Sequence, residues 1–361
     1  MIRIGIVGTG GMAHAHARAY AEMRGVELTA CHDVQPQRVR EFARRYGFRH
    51  VAGSLEELLD RVDAVSVVTP DRYHAPICLS VLRAERHLLC EKPLTVTLAE
   101  ARRVARAAQA AQRRGVMHMI NFSYRHAAAF QEAVKLVQRG ALGDLRHVHS
   151  HYLQSWLVSG AWGHWSDDTF LWRLQTAAGS GGVLGDIGCH ILDFTTAVAG
   201  DLKAVRATTR TFAKISRDGR AHRTWKGKKL DANDSVVAEL HFANGALGAC
   251  HMTRWATGRS NQVLLEVHGT RGALHIDLAQ SWTELHVCLG RDCRTDTWKT
   301  RQLKAAPTNY RRFIRAIRTG KPAQPDVLRG AHVQAMLDAC ERSAATGRLE
   351  KVRKAVTVAR S

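Results

Sequence analysis

Three short groups of residues in this 361-residue chain have types and spacing that can do chemistry. The first is Gly8-Thr9-Gly10-Gly11-Met12-Ala13, which follows the apolar run Ile2–Val7 and opens a helical pattern. The first glycine permits a tight turn, the second lets backbone approach a diphosphate, and Ala13 is small enough for helix–strand packing at the third position. Phosphate oxygens then meet the positive end of a helix. Asp33 ends the next apolar run. A carboxylate there accepts hydrogen bonds from ribose hydroxyls and repels a 2′-phosphate. Strand, turn, helix and acid together predict a dinucleotide site that prefers NAD to NADP, with Gly8, Thr9, Gly10, Gly11, Met12 and Asp33 in contact with it.

The second group is Glu91-Lys92-Pro93, directly after the apolar run His87–Cys90. In open parallel sheets the carboxyl ends of the strands line the ligand crevice. A lysine there can hydrogen-bond a substrate oxygen and stabilise the negative charge that develops on it. The third group is the glycine-rich stretch from Ser180 to Asp193, containing Asp186 and His190. These two are four residues apart, so a helix would set them on one face, and Asp193 extends that face. A carboxylate beside an imidazole keeps it poised as a proton acceptor. Asp193 is the sole strong third ligand nearby, and no metal is assigned to the chemistry.

The elements that must hold these groups are legible in outline. Strands are predicted at Ile2–Val7, Val26–Cys31, Phe48–Val51, Ala64–Val68, His87–Cys90 and Val116–Phe122, with amphipathic helices between them. This is the rhythm of a parallel sheet covered on both faces. Ser54-Leu55-Glu56-Glu57 and Thr97-Leu98-Ala99-Glu100 read as capping boxes that start two of the helices. After Phe122 the pattern changes to a helix over Phe130–Arg139 and then longer alternating strands, Val236–Phe242, Ala246–Thr253, Val263–His268 and Ala273–Leu278. The predicted fold is α/β: a Rossmann domain over 1–122, then an α+β domain over 123–361 with a large open, mainly antiparallel sheet. Two helices, Tyr310–Arg318 and Val327–Ala345, close the chain. In the second domain Val236, Ala238, Leu240 and Phe242 share the face expected to pack on helices. Val237, Glu239, His241, Leu264, Glu266 and His268 share the other, whose mixed character suits an interface between identical subunits.

Composition narrows the function class. No apolar stretch approaches the ~20 residues that span a bilayer. The opening residues read as a strand rather than a secretory signal, so a cytoplasmic protein is expected. The eight cysteines include no Cys-x-x-Cys pair, and reduced thiols are expected. The formal charge is +21. Its lysines and arginines are dispersed along helices, apart from a basic stretch at Lys214–Lys229, which reads as a solvated loop rather than a nucleic-acid site.

The same groups, in this order, resemble the Gfo/Idh/MocA family of nicotinamide-dependent oxidoreductases. The resemblance covers almost the whole chain and rests on Thr69-Pro70-x-x-x-His74, Glu91-Lys92-Pro93, Asn121 with Arg125, Trp172-Arg173, the Gly181–Asp193 run and the C-terminal Ala339–Ala344 helix. It implies a Rossmann domain followed by an open-sheet domain, with substrate between them, and Lys92, Asp186 and His190 as the catalytic set. It also implies that Thr69, Pro70, His74, Glu91, Lys92 and Asn121 join the cofactor site, and that subunits pair through the open sheet as a dimer or tetramer. A more local likeness, Tyr152-Leu153-Gln154-Ser155-Trp156 with Trp172-Arg173, is similar to branches that oxidise pyranose rings. An indole packs on the C–H face of a sugar while Gln or Arg fixes its hydroxyls. Lys92, Arg125, Gln154, Trp156, Trp172, Arg173, Asp186 and His190 are therefore the expected substrate contacts, with core packing the competing reading for each tryptophan. The expected activity is hydride transfer between a secondary alcohol of a sugar or polyol and NAD. The alternatives are a glycosidase of the same fold that recycles NAD, and a non-catalytic NAD-sensing regulator.

Overall fold

In the computed structural model, which describes residues 1–355, the apolar runs of the first third form six strands: β1 (Ile2–Val7), β2 (Val26–His32), β3 (His50–Val51), β4 (Ala64–Val67), β5 (His87–Cys90) and β6 (His118–Ile120). They make one parallel sheet in the order β3-β2-β1-β4-β5-β6. This is the doubly wound arrangement expected, with β1 and β4 adjacent where the strand order reverses. The helices between them are α1 (Ala13–Ala21), α2 (Pro36–Tyr46), α3 (Leu55–Arg61), α4 (His74–Arg83) and α5 (Leu98–Gln112). Thr97 and Glu100 close a full capping box on α5. At α3 only half of the expected box forms: Ser54 Oγ accepts from Glu57 N, while Glu57 Oε2 reaches past Ser54 to Gly53 N. The third strand is shorter than predicted because Gly47 turns left-handed and both it and Phe48 direct their N–H to Ala43 O, ending α2.

The chain divides into two compact units. The first comprises Met1–Ser123 and Pro307–Gln334 with Lys354 and Ala355, and the second Tyr124–Ala306 and Ala335–Arg353. The sequence reading assigned everything after 122 to the second domain, whereas 307–334 returns to the first. The reason is packing: Phe313 and Ile314 on α9 (Asn309–Thr319) are buried in one cluster with Ile4, Ile6 and Tyr20.

The second unit begins with α6 (Ala128–Gln138) and β7 (Leu145–Gln154). A short helix α7 (Asp168–Leu171) and a π turn over Leu184–Gly188 lead into α8 (Cys189–Ala199) and β8 (Leu202–Arg210). Two small hairpins follow, β9 (Lys214–Ile215) with β10 (Ala221–His222) and β11 (Thr224–Trp225) with β12 (Lys228–Lys229). Then come β13 (Ser235–Phe242), β14 (Leu247–Thr253), β15 (Asn261–Gly269), β16 (Gly272–Asp277), β17 (Glu284–Leu289) and β18 (Lys299–Gln302). Helix α10 (Val327–Thr346) and β19 (Glu350–Lys351) complete the described chain. The nine-stranded sheet runs β18-β17-β16-β15-β7-β14-β13-β8-β19, antiparallel except where β7 lies parallel to β14. Val236, Ala238, Leu240 and Phe242 are buried, while Val237 is 64% exposed on the other face.

The basic stretch is not simply a solvated loop. Lys214 is fully buried, its Nζ donating to Asp234 Oδ2 at 2.6 Å and Phe212 O at 2.7 Å. Arg217 and Lys226 reach back to Asp167 and Asp168, so part of the stretch is neutralised locally. All eight cysteines are free thiols, seven of them buried. Among the described residues no helix is long and apolar enough to cross a membrane.

Removing one member of a buried ion pair leaves the other charge stranded, at a cost of about 3–5 kcal/mol. Lys214→Met, which strands the Asp234 carboxylate, is expected to lower stability by that amount in urea unfolding, with Asp234→Asn less severe because the amide oxygen can still accept from the Lys214 ammonium. A wild-type midpoint for Lys214→Met would contradict the assignment of this pair as structural.

Candidate active site

The first unit builds its part of the site on strand ends. Gly8 adopts φ +89°, and a Cβ there would come within 2.7 Å of Val68 O, so only glycine fits the turn. At Gly10 and Gly11 a Cβ would meet nothing within 4 Å. That open space lies at the start of α1, whose N-cap residue Met12 makes no side-chain cap. A glycine-lined opening at an uncapped helix N-terminus fits a diphosphate, and the residues present fit a dinucleotide. Asp33 braces the turn: its Oδ2 accepts from Thr9 N at 2.7 Å and Thr9 Oγ1 at 2.9 Å, and its Oδ1 from Gln35 N at 2.9 Å. Arg38 Nη2 lies 2.7 and 2.8 Å from the two oxygens. Burial pushes this carboxyl up, but the bonds from Arg38, Thr9 and Gln35 outweigh it and hold it below the usual range.

Around the ends of β4, β5 and β6 the side chains bind one another. Glu91 is buried, and its Oε1 accepts from His16 Nε2 at 2.8 Å and Asn121 Nδ2 at 2.6 Å. Burial raises the Glu91 carboxyl, but His16 and then Asn121 and Lys92 draw it down to about 2, so it is ionised. Asn121 also donates to Tyr310 Oη, and Asn309 Nδ2 donates to Asn121 Oδ1 and Phe122 O. His74 lies at the start of α4, fully buried, with Nδ1 2.8 Å from Pro93 O and Nε2 2.8 Å from Thr69 O. Read from sequence as a cofactor contact, His74 instead ties the Thr69-Pro70 turn to the Lys92-Pro93 turn. Lys92 is half-buried at the head of that turn, its backbone N–H donating to Glu91 Oε2.

The second unit supplies the acid–base candidates. The glycine run is helical as expected, with one difference: Leu184–Gly188 winds as a π turn, a form that recurs at functional sites. Asp186 lies in that turn and His190 in the first turn of α8. Asp186 Oδ2 accepts from Arg254 Nη2 at 2.9 Å, with Arg173 Nε 4.0 Å away. Arg254 is fully buried, donates also to Gly182 O and Arg173 O, and lies 5.0 Å over the Trp156 ring. Asp193 is buried in a two-point ion pair with Arg125, at 2.7 and 2.6 Å. Arg125, expected among the substrate contacts, is thus tied to α8 by its pair with Asp193.

His190 packs edge-on against Tyr124, ring centroids 5.0 Å apart, with Tyr152 at 6.3 Å. Beside it three hydrogen bonds close a ring: Tyr124 Oη to Tyr152 Oη at 2.6 Å, Tyr152 Oη to Asn261 Oδ1 at 2.8 Å, and Asn261 Nδ2 back to Tyr124 Oη at 3.1 Å. Gln154 Nε2 donates into this ring at Tyr152 Oη and Asn261 Oδ1. Burial and the neighbouring Tyr124 push the Tyr152 phenol well above its ordinary value, so it stays neutral. Trp156 is a core residue, packed with Leu157, Trp165, Leu171, Leu174 and Leu230. Trp172 is half-buried, with the Arg173 guanidinium 4.5 Å over its ring.

Sequence reading missed His16, Tyr310, Arg254 and Asn261. The last two carried a signal. Arg254 continues the inward phase of Cys250 and Met252, and Asn261 that of Val263 and Leu265. A polar group in an inward phase requires a buried partner.

Residues 2–122 match the oxidoreductase family with an NAD-binding Rossmann fold, and residues 130–275 match the GFO/IDH/MocA C-terminal domain. Levoglucosan dehydrogenase of Pseudarthrobacter phenanthrenivorans is 31% identical over 310 residues, covering 81% of this chain and 77% of that one. D-glucoside 3-dehydrogenase of Escherichia coli K12 is 28% identical over 96% of both chains. The structure of a levoglucosan dehydrogenase in complex with NADH and L-sorbose superposes with a TM-score of 0.85 at 27% identity, over 98% of this chain and 100% of that one.

The Asp33–Arg38 pair generates a test of cofactor choice. Asp33→Ser removes the carboxylate and releases Arg38, which can then meet a 2′-phosphate. The NAD-to-NADP ratio of kcat/KM is expected to narrow by at least about tenfold, the worth of one charge-assisted hydrogen bond at ~1.5–3 kcal/mol. A wild type that uses both cofactors equally would show that Asp33 does not select.

Proposed function

The chain belongs to the GFO/IDH/MocA family of NAD-binding oxidoreductases, and we propose that it oxidises one ring hydroxyl of a pyranose or cyclic polyol, using Lys92, Asp186 and His190. The observation that carries this reading is His190 set beside the Tyr124–Tyr152–Asn261 ring and Gln154: a proton acceptor flanked by groups that recognise hydroxyls. Relatives that act on levoglucosan and on D-glucosides support the substrate class.

Bound NAD, held by Gly8–Met12 with Asp33 at the ribose, supplies the hydride acceptor. The chain's own groups handle the proton and the charge. The His190 imidazole takes the hydroxyl proton. The Lys92 ammonium hydrogen-bonds the same oxygen and stabilises its negative charge. Asp186, fixed by Arg254, orients His190 or accepts from a neighbouring hydroxyl. Trp172 with Arg173 offers a flat apolar surface and a donor to the sugar ring. Glu91, Asn121 and His74 act through position, fixing the backbone that carries Lys92 and Thr69-Pro70.

The reading extends to assembly and location. The open face of the large sheet, with Val237 and Leu247 exposed among half-buried polar residues, pairs with the same face of a second copy as a dimer or a dimer of dimers. Free, mostly buried thiols accord with a cytoplasmic setting.

Three measurements test this. Lys92→Ala is expected to leave the NAD dissociation constant near wild type while lowering kcat by about 10²–10³-fold, the effect of deleting one donor to a developing oxyanion. Wild-type turnover would remove Lys92 from the mechanism. The oxidation rate of the wild type is expected to rise with pH as the base loses its proton, and His190→Asn to abolish that limb. An unchanged profile in the variant would move the base elsewhere, Asp186 first. Leu264→Arg, on the open sheet face, is expected to reduce the mass seen by light scattering and spare NAD binding. A monomeric wild type at micromolar concentration would remove the pairing.

A further inference from the structure

Three histidines on the open sheet face stand apart from the chemistry described so far. His149 and His151 alternate along β7 and so share a face, and His251 on β14 lies directly opposite His151 in the parallel register. Their ring centroids form a near-equilateral triangle with sides of 5.6, 5.6 and 5.1 Å. One ring nitrogen from each falls within 4.8 Å of the other two. Ala249 faces His149 across the strands. His151 Nε2 is buried with no hydrogen-bond partner among the described residues.

Two other histidines of this face behave differently. His241 and His275 each pair with a carboxylate, Glu239 and Glu266. The nearby Asp277 carboxylate is bonded to Gln262. The triangle therefore presents nitrogen donors without a carboxylate among them. Neutral imidazole is the ligating form.

We propose that His149, His151 and His251 form a binding site for a divalent late transition metal, with zinc the natural occupant. Nitrogen ligands select zinc, cobalt, nickel or copper over magnesium and calcium. Metal–nitrogen bonds of about 2.0–2.1 Å need ligand nitrogens ~3.4 Å apart, a closure that rotation of the half-buried rings supplies. Three protein ligands leave the fourth position to water in a single chain or, in the face-to-face pair proposed above, to a group of the second copy. The site is independent of the dehydrogenase reading, since none of the three residues belongs to the proposed catalytic set.

The test uses the full chain without a histidine tag, freed of metal by chelation. It is titrated with Zn²⁺ against a chromophoric chelator, and with Co²⁺ read by visible absorption. One ion per chain is expected, with Co²⁺ giving the intense bands of four-coordinate nitrogen ligation and Mg²⁺ not competing. His151→Ala and His251→Ala should each weaken Zn²⁺ by at least about tenfold, whereas His50→Ala on β3 should not. His251→Gln, which keeps a polar side chain of similar size, should also lose the Co²⁺ bands while retaining the wild-type circular dichroism and NAD binding. Absence of saturable uptake by the wild type, effective competition by Mg²⁺, or unchanged affinity when all three histidines are alanine would overturn the proposal.

Discussion

A guanidinium taken out of water costs several kcal/mol unless its donors find acceptors inside. Arg254, with no exposed surface, meets them on Asp186, Gly182 O and Arg173 O. Those three acceptors lie on three pieces of chain: the π turn, the glycine run that leads into it, and the Trp172-Arg173 segment. The second unit's chemistry depends on this junction. It fixes the turn that carries Asp186, and that turn runs without a break into α8 and His190. Arg125 and Asp193 hold the same helix from the side facing Phe130. Removing one partner of either pair would strand a buried charge at a cost of about 3–5 kcal/mol, so both pairs favour this one position of the helix.

The first unit uses the same principle with the opposite sign. Glu91 is a buried carboxylate whose charge is retained because His16 and Asn121 bond to it. Asn121 is in turn held by Asn309 and Tyr310 of α9, which comes from near the C-terminus. Chain far from the motif thus sets the backbone on which Lys92 is mounted. Asp33 does the same for the glycine turn, linking Thr9 to the start of α2. In both units, groups able to touch ligand rest on ionised groups that are already fully engaged.

The first sheet was legible in the sequence because its signals are local. Each strand is a short apolar run bounded by a cap or a glycine, and Ser54, Thr97 and Gly47 act within a few residues of themselves. The second sheet's order was not legible. The parallel pairing of β7 with β14 joins residues about a hundred positions apart, and nothing in either strand's alternation names its partner. The site shows the same division. Gly8, Asp33, Lys92, Asp186 and His190 stood out by motif, but what they bond to did not. Arg125 was read as a substrate ligand, but its ion pair was not legible, since Asp193 lies 68 residues away. Trp156 was open to two readings, since an indole type says nothing about which side of it is covered. Lys214 was hidden by its basic neighbours, although its partner Asp234 lies only 20 residues on.

The central claim is that this NAD-binding chain transfers hydride to NAD from the hydroxyl-bearing carbon of a sugar or polyol and releases the oxidised product. Incubating it with NAD and a panel of pyranoses, anhydrosugars and cyclic polyols, while following NADH absorbance, tests this most directly. The account predicts saturable, stoichiometric NADH formation with at least one member of the panel. Cleavage of a glycosidic bond with no net NADH, or no NADH from any member while NAD still binds, would contradict it.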